Sequence, residues 1–304
     1  MSTGYPGAKQ NEKESLRLCI RNCALLLKLT NRGEGLGVCL LLLALGAGAP
    51  AAAQFSPSLQ SNLPQPSDTC SPPCGSTFGE RAISWKLLAP NILHDQKPVW
   101  LFPGTVAHGR HWKPVAGFLV ATAGLVALDP HDALYFRRTN SFAGFNKDFS
   151  GGNTALGTAL VPLSFYAVGV LRKDSYAQHT SLLAGEAVAD VEILATVMKD
   201  LDRRLRPIDV PANGNFSDTW FEGHGSVIRG NGSFPSGHTI AAFSIATVFA
   251  DRYRRHRWVP WVAYGAASLV GFSRLTLQSH FTSDVFAGAA LGYVVSHYVV
   301  MGSH

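Results

Sequence analysis

Apolar positions gather in six long stretches after Pro114, at 114–128, 154–171, 177–201, 237–253, 258–275 and 284–301, each with helical spacing. Alternating apolar and polar runs bounded by hairpin turns are absent, so no sheet is expected. The pattern predicts an all-α protein, a bundle of about six core helices with any active site at one end. Asp129-Pro130 is expected to stop the first helix, since proline lacks a backbone donor and crowds the preceding turn. Ser236, and Ser283 or Asp284, stand where the fourth and sixth helices need N-caps.

Upstream, the pattern changes twice. Residues 80–113 mix Trp85, Trp100, Phe102 and Trp112 with prolines and predict short covering helices, which makes 80–301 the helical domain. Residues 54–79 are rich in Ser, Pro, Gln and Gly and predict a flexible linker. Residues 1–53 have the layout of an export signal: a basic stretch from Lys9 to Arg32, the apolar run Val38–Leu45, and Ala51-Ala52-Ala53 ahead of Gln54. An uncleaved anchor is the other reading of that segment. The expected location is the periplasm or cell envelope, with the catalytic face outside the cytoplasm. Cys19, Cys23 and Cys39 fall within the signal, which leaves Cys70 and Cys74 for a local disulfide in the linker.

Apolar residues make up 46% of the 304 and charged residues 15%, more apolar than an ordinary soluble domain. The net charge of +6 is not arranged as a basic stripe interleaved with aromatics, so nucleic acid is not an expected partner. The six helices read as too short to span a bilayer, which takes roughly 20 apolar residues. Glu186, Asp190 and Glu192 along the third add a further cost at bilayer depth. A six-span arrangement with residue 54 outside would also leave the basic cluster Asp251–Arg257 outside, against the usual charge rule. The expectation is a bundle that does not span, resting peripherally on a membrane.

Three blocks carry chemistry. Lys199 and Arg206 are seven residues apart, two helical turns, and so are expected on one face near the end of the third helix, which Pro207 then stops. Pro235-Ser236-Gly237-His238 opens the fourth helix, where free N–H groups and the positive dipole end attract an anion. Gly237 permits close approach of an oxyanion, and His238 beside it is a candidate general acid. In the third block Arg274 offers a planar fork for phosphoryl oxygens. His280 and Asp284 are four apart, so the carboxylate can hold one imidazole nitrogen and leave the other facing a phosphorus atom. No ligand cluster for a metal is evident beyond the two histidines. The loop 208–234, with Phe216, Trp220, Phe221, Glu222 and His224, is a candidate lid.

Taken together, the three blocks resemble the type 2 phosphatidic acid phosphatase superfamily, which also includes bacterial non-specific acid phosphatases and vanadium haloperoxidases. The resemblance covers roughly residues 155–301. It implies a metal-independent phosphatase in which His280 attacks phosphorus to form a phosphohistidine and Asp284 orients it. His238 protonates the leaving oxygen, and Lys199, Arg206, Ser236, Gly237 and Arg274 hold the phosphoryl group. A phosphomonoester or diphosphate, with a lipid phosphate favoured, is the implied substrate, and no cofactor is needed. The alternatives are a soluble-substrate acid phosphatase and a haloperoxidase holding vanadate in the same cage.

Overall fold

The computed structural model describes residues 82–223 and 230–302. The expected signal, linker and Cys70–Cys74 pair lie outside these residues, as does His224. The described residues form eight α-helices and no strands: α1 (Leu88–Ala107), α2 (Trp112–Arg138), α3 (Ala143–Asp148), α4 (Gly151–Arg172), α5 (Ser175–Asp202), α6 (Gly237–Arg252), α7 (Val259–Thr276) and α8 (Thr282–Val294). One wider π turn, Val295–Val300, follows α8. The all-α expectation holds. All six expected core helices are present, and α1 is a single 20-residue helix where short pieces were expected.

Two expected helix ends differ. Pro130 does not stop α2, which runs on to Arg138, because Asp129 is anchored in the interior by Arg204 and Ser283. Tertiary contacts there outweigh the local cost of proline. Helix α5 ends at Asp202, with Arg203 in the left-handed conformation at φ 46°, so Arg206 lies beyond the helix. Pro207 instead begins a short 3₁₀ turn, Pro207–Asp209.

Helix α6 is the hub, packed on α5, α7 and α8, while α4 lies on α5 and α2 on α8. Small residues set the spacing between α6 and α8. A Cβ on Gly292 would lie 2.5 Å from the Ile240 carbonyl oxygen, and one on Gly288 would lie 2.8 Å from that of Ser236. Only glycine allows the two backbones to approach this closely. The apolar core is Leu182, Leu183, Ala184 and Ala187 of α5 against Ile245 and Val248 of α6, continued by Val191, Ala195 and Ile240.

The outer faces of α2 and α4 are a second finding. These helices are 27 and 22 residues long, with mean hydropathy 1.3 and 1.7 in windows of which only 6% and 11% is buried inside the protein. Both are long and apolar enough to cross a membrane, which corrects the expectation that every helix is too short. The charges on α5 that argued against a membrane face inward. Glu186 accepts from Asn91 Nδ2 at 3.2 Å, and Asp190 from Gln96 Nε2 at 2.9 Å, both donors on α1.

Candidate active site

The packing of α6 against α8 brings their N-termini together, and a backbone bond from Ser236 N to the Asp284 carbonyl oxygen (3.0 Å) ties them. The C-terminal ends of α5 and α7, carrying Lys199 and Arg274, close the same end of the bundle. Two positive helix ends and two side-chain cations thus face one another, an arrangement suited to an anion. Their charges act on one another. Burial first, and then Lys199 and Arg206, lower His280, while burial first, and then Arg274 and Lys199, lower His238. The residues singled out from sequence are thus gathered at one end of the bundle, Ser236 through its bond to Asp284 and Gly237 beside Lys199.

His280 is only 5% exposed. Its Nδ1 lies 2.7 Å from the Ser233 carbonyl oxygen, while Asp284 Oδ2 is 3.6 Å away. A carbonyl only accepts, so Nδ1 carries the proton and Nε2 keeps its lone pair. Asp284 was expected to hold the ring directly. Instead it acts from ion-pair distance, with the Ser233 hydroxyl donating to Asp284 Oδ2 at 2.5 Å and standing 3.4 Å from Nδ1. Desolvation pushes His280 below its ordinary value despite Asp284, so the ring is neutral at neutral pH.

Asp284 is itself held from two further directions. Arg204 Nη1 donates to Oδ1 at 2.6 Å, and the Phe281 backbone N–H donates to Oδ2 at 2.9 Å. Asp284 thus caps α8 from its third position, and the N-cap residue is Phe281 rather than Ser283. Behind it, Arg204 Nη2 donates to Asp129 Oδ2 at 2.7 Å, and Asp129 also receives the Ser283 hydroxyl at 2.5 Å. The Arg204 guanidinium lies 4.1 Å from the Phe281 ring centre and 4.4 Å from that of Trp220.

Sequence reasoning missed Arg204, Asp129 and Ser233. Arg204 stands in a basic run close after α5, yet it is only 2% exposed. The run Arg203-Arg204-Leu205-Arg206 shows basic character, but only the left-handed turn at Arg203 decides which side chain points inward.

Arg274, also buried, spends Nη2 on the Phe149 carbonyl (2.5 Å) and the Thr154 hydroxyl (2.8 Å). His238 Nε2 is 3.1 Å from the Gly151 carbonyl. The α3–α4 junction is therefore part of the site, which no pattern in 143–154 announced. Burial, then the neighbouring cations with Arg274 foremost, bring His238 down to about 4. Ser236 sits at the N-cap of α6, but its side chain does not cap the helix, and its oxygen accepts from the Thr239 hydroxyl at 2.9 Å. Gly237 gives the closeness expected of it, though to a cation: a Cβ there would lie 2.8 Å from Lys199 Nζ.

Within the candidate lid, Phe216 is buried under Arg137 and against Phe281, and Trp220 packs on Phe234. These two form a fixed wall, whereas Phe221 is 75% exposed. One ligand cluster was also missed. Asp95, Glu186 and Asp190 bring carboxylate oxygens within 4.8 Å of one another. Glu186 is thirteen residues from Lys199, roughly 20 Å along α5, so this trio is separate from the phosphate-type site.

The sequence model of the PAP2 superfamily matches residues 179–303. Over this region the chain is similar to PAP2-superfamily proteins. The match begins on α5 and takes in every singled-out site residue. The chain is 45% identical over 64 residues to a lipid A 1-phosphatase of Porphyromonas gingivalis, 21% of this chain and 14% of that protein. It is 30% identical over 108 residues to the lipid A 4'-phosphatase of the same organism, 36% and 44% of the two chains. With the lipid A 1-phosphatase of Rhizobium etli it shares 36% identity over 101 residues, 33% and 40%. The chain thus spans less than half the length of these curated relatives. Among solved structures, a PAP2 type phosphatidylglycerolphosphate phosphatase from Bacillus subtilis aligns with TM-score 0.42 and 24% identity, over 63% of this chain and 95% of that one.

Proposed function

We propose that the protein is a metal-independent phosphatase of a membrane lipid phosphomonoester, acting through a phosphohistidine on His280. The observation that carries this reading is the Nδ1 contact to the Ser233 carbonyl, which leaves Nε2 of a neutral, buried imidazole as the nucleophile beside Lys199 and Arg206. Nε2 bonds to phosphorus as the ester P–O bond breaks, and the departing oxygen takes a proton from His238. Water then attacks phosphorus while His238 receives its proton, and the phosphorus–nitrogen bond breaks to release inorganic phosphate and neutral His280. Lys199, Arg206 and Arg274 meet the charge on the equatorial oxygens, the role a metal serves elsewhere. In the empty site burial, and then the neighbouring cations, keep His238 neutral, and a phosphoryl dianion among them favours its protonated, acid form.

Two observations support a lipid substrate. Relatives sharing this region are lipid A phosphatases. A cavity of about 580 Å³ also leads from Lys199, Gly237 and His238 into apolar walls between α4 and α5. The apolar outer faces of α2 and α4 suit a chain embedded in a membrane of the cell envelope through those helices.

The test is a substrate panel of lipid phosphates, diphosphates and soluble monoesters, run with EDTA throughout. Turnover of a lipid monoester should survive chelation, and rapid quenching should trap acid-labile phosphate on the protein. His280→Ala should lower turnover at least about a thousandfold and abolish the label. Strict need for added magnesium or zinc, or labelling that persists in the alanine variant, refutes the proposal.

A further inference from the structure

Glu192 is a carboxylate that the mechanism above does not use, yet it lines the same cavity as Lys199, Gly237 and His238. It sits two helical turns before Lys199 on the same face of α5. Its two oxygens lie 3.6 and 3.7 Å from the point where a Gly237 Cβ would stand, and Lys199 Nζ lies 2.8 Å from that point. The carboxylate therefore borders the phosphate position on the side from which the cavity continues. Beyond it the walls turn apolar, with Ala159, Pro162 and Leu163 of α4 facing Leu182 and Val188 of α5. The Trp85 Nε1–H bond to the Tyr166 hydroxyl (2.8 Å) spans the far end.

We propose that Glu192 selects the leaving group: it accepts a hydrogen bond from a hydroxyl or amide N–H beside the scissile oxygen of a lipid monoester and disfavours a diphosphate. The proposal rests on the phosphatase reading and adds to it which amphiphile the cavity takes. A substrate phosphorus held at Lys199, Gly237 and His238 places the first atoms of its leaving group against Glu192 and its chain in the apolar groove. If those atoms carry a donor, the carboxylate gains a partner; if they are a second phosphate, two anions are forced together. Burial already pushes Glu192 above the usual carboxylate range, with Lys199 only partly offsetting it, so a donor from the ligand supplies what the protein does not.

The experiment measures kcat/KM for the full chain on three probes: lysophosphatidic acid, its analogue lacking the glycerol hydroxyl, and farnesyl diphosphate. The wild type should prefer the hydroxyl-bearing lipid over its deoxy analogue by about tenfold or more. Glu192→Gln and Glu192→Ala should bring that ratio to within about twofold and raise the relative rate on the diphosphate. A wild type with no preference between the two monoesters overturns the inference without any variant. So does an equal fall on all three probes in Glu192→Gln, which marks a residue that only positions Lys199. A wild type that hydrolyses none of the three, or any lipid phosphate in the panel, fails at the phosphatase reading instead.

Discussion

Replacing Arg204 by methionine removes a charge from the interior and leaves two carboxylates behind. Arg204 is bonded to Asp284 at 2.6 Å and to Asp129 at 2.7 Å, with both partners almost fully buried. Removing one member of a buried ion pair costs about 3–5 kcal/mol, mostly the penalty of the charge left unpaired. Methionine preserves the apolar stem against Phe281 and Trp220, so the loss reports the guanidinium rather than a cavity. For a domain of this size that corresponds to a fall in Tm of roughly 6–20 °C.

The loss should also depend on pH. Burial alone would raise Asp284, but the neighbouring His280, the Arg204 guanidinium and the Ser233 hydroxyl more than offset it and hold the carboxyl below its ordinary value. Such a group stabilises the fold above its unfolded value of about 3.9, and the contribution fades as pH falls through the folded value. Without Arg204 the folded value rises, so the variant's deficit should be largest at neutral pH and shrink towards about pH 4. Thermal unfolding followed by tryptophan fluorescence in detergent, at several pH values, measures both effects. Arg204→Met with Asp129→Asn should regain part of the loss by removing one stranded charge. A deficit below about 1 kcal/mol, or one that does not vary with pH, refutes the view that this network holds Asp284 in place.

Gly292→Ala, which would drive a Cβ to 2.5 Å from the Ile240 carbonyl oxygen, should destabilise the fold by about 1–3 kcal/mol. Gly265→Ala, with open space around it, should be neutral or stabilising by up to about 1 kcal/mol, and equal effects would undo the close-packing argument. His238, at about 4 in the empty site, should move towards its ordinary value near about 6.5 when orthovanadate is bound. Imidazole NMR titration with and without vanadate reads this, and a value unmoved by the anion counts against His238 as the acid. With the apolar faces of α2 and α4 in lipid, the protein should stay with membranes through carbonate washing and leave only with detergent. Release by carbonate returns the peripheral reading.

Helix content was legible because it rests on local rules, and so were the residues that gather at the helix starts. Apolar spacing at the helical period marked all six core helices, and Gly237, His238 and the His280–Asp284 spacing need only a helix start to acquire their meaning. Non-local decisions were not legible. Whether α2 passes Pro130 depends on Arg204 and Ser283, distant in sequence, holding Asp129 inside. Which arginine of Arg203-Arg204-Leu205-Arg206 becomes the buried partner of Asp284 depends on a single left-handed residue. His280 takes its proton geometry from a carbonyl 47 residues away, on Ser233, whose own N–H is tied to the Arg204 carbonyl just past α5. The outward apolar faces of α2 and α4 also became visible only after packing, because composition counts apolar residues without saying which of them remain uncovered. Sequence fixes what each segment can form, whereas burial, and the partners that burial demands for each charge, are properties of the assembled chain.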